Sequence, residues 1–195
     1  MTNWNTAQKW EKRWHQGIGA NTFNEERKQF VYAKKMGIEV YSSLETPYNI
    51  KNYGKILDIG GGEASLLLKV INPTGCVVVD PCKYPKWISE RYKEYGITLI
   101  KEKAEDWDCI GFDEVWIYNC LQHCEDPEKI CKNALKAGKL VRVFEWVENG
   151  ISPGHLHNLT EKDLNKWLEG EGKVERVDES GCNGLCYFGI FMGKQ

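Results

Sequence analysis

Two regimes of hydrophobic patterning divide the chain. Before residue 53 the apolar positions recur at helical spacing, with Trp4, Ala7, Trp10 and Trp14 near one face of a helix that Gly17-Ile-Gly19 ends. A second helix is expected from Thr22, which forms a capping box with Glu25 three places on, through Phe30 and Ala33 to Met36, with Gly37 as its stop. From Lys55 onward short apolar runs alternate with amphipathic stretches. The pattern predicts strands over 55–59, 76–80, 97–101, 113–118 and 139–146, with helices over 63–70, 86–95 and 127–137. Helix 127–137 is the best delimited, with Asp126 as cap, Pro127 at its first position and Gly138 past its end. A last helix from Thr160-Glu-Lys-Asp163 to about Leu168 precedes strands near 173–178 and 185–192. Alternation of this kind builds a parallel α/β sheet. The final two strands, joined only by Glu179-Ser-Gly-Cys-Asn-Gly184, have too short a link for a parallel crossover and are expected to be antiparallel.

The junction Lys55-Ile-Leu-Asp58-Ile-Gly60-Gly61-Gly62-Glu63-Ala64 carries the most chemical information. It runs an apolar strand into a glycine turn, and glycines there open backbone angles closed to other residues and let a ligand lie against the main chain. About 20 residues on, Cys76-Val-Val-Val-Asp80 ends a second strand in an acid suited to two ribose hydroxyls. The unit reads as a nucleotide-type cofactor site. A dinucleotide fingerprint needs a third Gly or Ala three places after Gly62, where Ser65 stands, so a nucleotide-dependent oxidoreductase is the weaker reading. Asp58, two residues before Gly60, is placed to neutralise a cationic amino group, as on an adenosine with an amino-acid tail.

Asp58-x-Gly60-x-Gly62 with Asp80 resembles the class I S-adenosylmethionine-dependent methyltransferases of small-molecule type. The resemblance covers about residues 53–193. It implies a Rossmann-like α/β fold: a seven-stranded mixed sheet of order 3-2-1-4-5-7-6 with its last strand antiparallel, helices on both faces, S-adenosyl-L-methionine as cofactor, and a methyltransferase domain over 53–195. Residues 1–52 are then a helical cap on the same domain. Whether its aromatic stripe only packs on the core or closes a lid over substrate stays open. The passage Phe112-Asp-Glu-Val-Trp-Ile-Tyr-Asn119-Cys-Leu-Gln-His123-Cys-Glu-Asp126-Pro127 is similar to the fourth-strand exit of these enzymes, which implies cofactor contacts at Asn119, Cys120 and Leu121. The resemblance assigns Gly60, Gly61, Gly62, Asp80 and Pro81 to the cofactor as well. After the third strand an acid followed by Ala is expected to bracket adenine, but Lys103 precedes Ala104, leaving the Ala104 main chain and Glu105 or Asp106 as candidates.

Composition narrows the partners. The net charge is −2 over 195 residues, with both signs interspersed, so no basic stripe favours nucleic acid. No apolar run approaches a bilayer span, and the N-terminus has no leader pattern, so a cytoplasmic location is expected. A small-molecule acceptor is the expected partner. The eight cysteines include no Cys-x-x-Cys pair and read mostly as reduced, buried thiols. Cys182 and Cys186 near His155 and His157 are the nearest approach to a metal pattern, and no metal is expected. His155 and His157, two apart in a segment read as extended, would project together toward the site as candidate proton acceptors or as loop-fixing groups, and His123 is a third candidate. The function expected is methyl transfer to a small-molecule nucleophile. Binding of the cofactor or its product without catalysis is the alternative.

Overall fold

In the computed structural model, which describes residues 3–16 and 23–194, one seven-stranded sheet organises the chain in the order β3-β2-β1-β4-β5-β7-β6. Strands β1 (Ile56–Ile59), β2 (Val77–Val79), β3 (Thr98–Ile100), β4 (Phe112–Tyr118) and β5 (Gly138–Trp146) are parallel. β7 (Cys182–Met192) lies antiparallel between β5 and β6 (Lys173–Glu179). The expected order and reversed strand are both present. The last connection is tighter than the six-residue link expected from sequence: Glu179 pairs with Cys182 across Ser180 and Gly181, whose φ values of 52° and 78° suit a two-residue hairpin.

Alternation along the strands splits the core into two layers. Leu57, Ile59, Val115, Ile117, Val141 and Val143 face α4 (Pro127–Ala137) and α5 (Glu161–Leu168), whereas Ile56, Val78, Trp116, Tyr118 and Phe144 face α2 (Phe23–Lys35) and α3 (Lys86–Glu94). Asp126 caps α4, accepting from the Lys129 amide at 2.9 Å, and Thr160 caps α5. Tyr32 of α2 stacks on Phe144 with ring centroids 4.3 Å apart. The end of α2 is tied down by a buried ion pair. Arg142 meets Glu114 through two 2.8 Å contacts and donates to the carbonyls of Met36 and Gly37 at 2.9 and 3.2 Å.

One expectation needs correcting. The helix expected over 63–70 is only a 3-10 turn, Leu66–Lys69, because the Ser65 hydroxyl accepts from the Leu67 amide and the chain then turns extended to pair with Ile50. The Lys69 carbonyl goes to the Ile50 amide and the Ile50 carbonyl to the Ile71 amide, so the groups that would continue a helix are spent elsewhere. Among the described residues of the N-terminal region the helices are α1 (Trp4–Gln16) and α2, and residues 38–54 form a loop carrying the Val40–Ile50 bridge. The expected stop at Gly17-Ile-Gly19 and the cap at Thr22 lie outside the described residues.

Candidate functional site

The glycine turn leaves β1 at the point where strand order reverses, between β1 and β4, which is where open sheets hold their ligands. Gly60 and Gly62 take φ of 71° and 63°, a region that favours glycine. The turn is clamped from both sides by tyrosines. Tyr92 of α3 donates to the Gly62 carbonyl at 2.7 Å and accepts from the Ser65 amide at 3.1 Å; Tyr118 of β4 accepts from the Leu66 amide at 2.9 Å. A side chain at Gly60 would place its Cβ 2.5 Å from the Cys120 Cβ, and one at Gly61 would meet the Asp58 carboxylate at 2.6 Å. These two glycines therefore serve close packing beneath the turn as well as access from above.

Above the turn lies a cavity of about 790 Å³, part of it open to solvent. Of the residues expected from sequence, Gly60, Gly61, Gly62, Asp80, Pro81, Asn119, Cys120 and His123 line it. Asp80 is 6% exposed, with Oδ2 accepting from the Gly62 amide at 3.1 Å and Oδ1 from the Cys82 amide at 2.8 Å. Asp80 thus borders the cavity as a carboxylate held in place by two backbone amides, the type of group that accepts from a ribose diol. Asn119 sits at φ 51°, an uncommon angle for a side chain, and turns the chain from β4 into the 3-10 turn Leu121–His123. That turn is anchored by Glu145, whose Oε1 accepts from the amides of Cys120 and Leu121 at 3.0 and 3.1 Å.

Other expected residues lie elsewhere. Asp58 is fully buried under the turn, where its Oδ2 accepts from Ser65 and, at 2.6 Å, from Tyr118, so it does not face the cavity as an amino-group partner. Leu121 is fully buried. Ala104 and Glu105 also miss the cavity: Glu105 Oε1 accepts from the amides of Glu125 and Asp126 at 2.8 and 3.3 Å, and the Ala104 carbonyl accepts from Asn133 at 3.4 Å. The extended segment expected at His155 and His157 is interrupted by a tight turn, in which the Ser152 and His155 amides each donate to the other's carbonyl at 3.1 Å. His157 Nε2 meets the Cys124 carbonyl at 2.9 Å, and His155 packs edge-on against His123 at 5.0 Å. Neither lines the cavity. Among the described residues no cluster of three His, Cys, Asp or Glu side chains is arranged to hold a metal.

Residues missed from sequence come mainly from the two N-terminal helices: Trp4 and Gln8 from α1, and Glu25, Gln29 and Tyr32 from α2. The helical Trp stripe was the available signal, because α1 buries Ala7 completely while Trp4 reaches the cavity.

Two buried acids are forced toward their neutral forms. Burial pushes Asp58 up to about 7, against the opposing bonds from Ser65 and Tyr118, and burial pushes Glu145 up to about 7, against its two backbone donors. Asp58 Oδ1 and Glu145 Oε2 have no partner. Because the folded state holds these protons more tightly than the unfolded chain, their stabilisation is complete below the ordinary carboxylate range and is lost as pH rises through about 7. Unfolding free energy is expected to fall by roughly 2–3 kcal/mol per group between pH 5 and pH 8. Urea titrations across that range check it, and Asp58→Asn should flatten the slope by about half. A stability that rises over the same window contradicts this assignment.

No family model and no curated sequence matches the chain. Solved structures do. The N-methyltransferase NodS of Bradyrhizobium japonicum, solved with S-adenosylhomocysteine, matches with TM-score 0.61 at 11% identity over 97% of this chain and 100% of its own. A S-adenosylmethionine-dependent methyltransferase of Thermotoga maritima gives 0.60 at 13% identity over 98% and 99%. This is the class I methyltransferase fold. The [4+2]-cyclase SpnF also matches, with TM-score 0.53 at 15% identity over 74% of this chain and 55% of its own, so the class I fold alone does not fix a reaction.

Proposed function

We propose that the protein binds S-adenosylmethionine in the cavity above the glycine turn and transfers its methyl group to a small-molecule nucleophile. The observation that carries this reading is the pairing of the Gly60–Gly62 turn with the Asp80 carboxylate, which is fixed by Gly62 and Cys82 and faces the same cavity at the β1–β4 switch point. Several solved structures of this fold, NodS among them, contain S-adenosylhomocysteine, the cofactor's demethylated product, which supports the same ligand here. Asp80 would hold the ribose, and the main chain of Gly60, Gly61 and Asn119 would face the amino-acid tail. When bound, the cofactor supplies an activated methyl group on a sulfonium.

The chain's own part is alignment and exclusion of water. α1 and α2 wall the cavity through Trp4, Gln8, Glu25, Gln29 and Tyr32, which supports a closing role for residues 1–52 within the same domain. Gln29 is held by its side-chain bond to the Ala64 carbonyl, so α2 is joined directly to the segment after the glycine turn. Among the described residues His123 is the histidine that lines the cavity. Its Nδ1 faces the Gly154 carbonyl at 2.7 Å, which makes Nδ1 the donor and leaves the Nε2 lone pair toward the Gln122 amide at 3.1 Å. An attacking amine, hydroxyl or thiol would have to displace the Gln122 amide from Nε2 before His123 could take its proton.

No helix among the described residues is long and apolar enough to cross a membrane, and we infer a small-molecule acceptor met in the cytoplasm. The test is incubation with methyl-labelled S-adenosylmethionine and a fractionated metabolite pool, with and without the protein. Label in a discrete product supports transfer. Cofactor binding without labelled product favours the non-catalytic alternative.

A further inference from the structure

We propose, resting on the cofactor reading above, that α1 forms the adenine wall of the site, with the Trp4 indole as stacking surface and the Gln8 amide at the base's edge. Of the groups expected after β3, Glu105 is committed to two backbone amides, the Ala104 carbonyl accepts from Asn133, and the exposed Asp106 pairs with Lys129 at 3.5 Å; none of the three lines the cavity. An adenine in this cavity therefore needs other partners. Sheet order places the glycine turn on β1, Asp80 after β2, and Lys103 after β3. Adjacent strands lie about 4.8 Å apart, so the β3 exit is roughly 10 Å from the turn, the reach from the tail to the base of an adenosyl group with its ribose over β2.

Trp4 occupies that end. The Lys103 ammonium stands 4.7 Å from its ring centroid, and Lys103 is itself held by Glu125 at 2.6 Å. The cation orients one face of the indole while the side chain borders the cavity. Gln8, one helical turn on, borders the same cavity, and its Oε1 accepts from the Cys82 thiol at 3.4 Å, two residues past Asp80. An amide carries both a donor and an acceptor, as the adenine edge does. Lys103, the departure from the expected acid, thus acquires a role: it backs the aromatic surface in place of a carboxylate that would contact the base.

Calorimetric or competition titrations with two ligands test this: S-adenosylhomocysteine and S-ribosylhomocysteine, which lacks the base. Trp4→Ala should weaken S-adenosylhomocysteine by about 5- to 150-fold, the loss of one base–aromatic stack, and change S-ribosylhomocysteine by less than about twofold. Trp4→Phe should recover most of the affinity. Equal losses on both ligands would mean that Trp4 only holds α1 in place, and undiminished S-adenosylhomocysteine binding by Trp4→Ala would remove the stack; either result overturns the proposal. If the unsubstituted protein itself fails to bind S-adenosylhomocysteine, the cofactor reading falls and takes this inference with it. Binding that survives in the unsubstituted protein but ignores Trp4 defeats the adenine wall alone.

Discussion

Arg142→Ala is expected to lower the unfolding free energy by about 3–5 kcal/mol, because it strands the Glu114 carboxylate in the interior. Glu114 and Arg142 are 3% and 7% exposed, and Trp116 Nε1 donates to Glu114 at 2.8 Å, so the carboxylate is enclosed with three donors, two of them from Arg142. The guanidinium also satisfies the Met36 and Gly37 carbonyls at the end of α2, where a helix leaves acceptors without partners. Removing it exposes both faults together. Joint replacement, Glu114→Leu with Arg142→Met, should recover much of the loss, since a buried ion pair exchanged for apolar groups is often neutral. Urea denaturation of the three variants checks both statements. A single-variant loss below about 1 kcal/mol would show that the pair is solvated in solution. Since α2 carries Glu25, Gln29 and Tyr32 into the cavity, the single variant should also bind cofactor more weakly.

On the catalytic side, His123→Ala is expected to lower turnover by about 10²–10⁴-fold on an identified acceptor, the usual scale for losing a general base. Cofactor affinity should change little, because the proposed cofactor contacts come from Gly60, Gly61, Asn119 and Asp80. The prediction separates two roles. A base lost from the chemical step lowers kcat, while a residue that only orients the acceptor raises KM with a smaller change in kcat. His155→Ala and His157→Ala should act more weakly, since they brace the 3-10 turn: His155 against the His123 ring and His157 on the Cys124 carbonyl. Full activity in His123→Ala would place acceptor deprotonation with solvent or with the acceptor itself.

The sheet was legible in the sequence because its strands are short, apolar and separated by well-marked stops, such as Asp126-Pro127 before α4 and Gly138 after it. Strand order followed from the resemblance and the short final connection rather than from periodicity. The stretch after the glycine turn misled because Leu66, Leu67 and Leu68 suit a helix, whereas Ser65 and Ile50 take the backbone groups that a helix would use. The glycine turn and Asp80 were readable from spacing alone. Asp58 was not, because nothing local shows that Tyr118, 60 residues away, and Ser65 enclose its carboxylate. The same holds for Glu105 and Glu145, acids that sequence cannot tell from surface charge and that fold inward to hold backbone amides. Trp4, Gln8 and Gln29 reach the cavity only through tertiary packing, which a helical stripe announces without saying what it covers.

The central claim is that the cavity above Gly60–Gly62 holds S-adenosylmethionine with its ribose on Asp80. Calorimetric titration with S-adenosylhomocysteine, with NAD as the competing cofactor class and Asp80→Ala as the variant, tests it most directly. Saturable one-to-one binding of S-adenosylhomocysteine is predicted, with NAD silent and Asp80→Ala weaker by about 1.5–3 kcal/mol through loss of charged hydrogen bonds. No heat with S-adenosylhomocysteine, or equal affinity in Asp80→Ala, would contradict it.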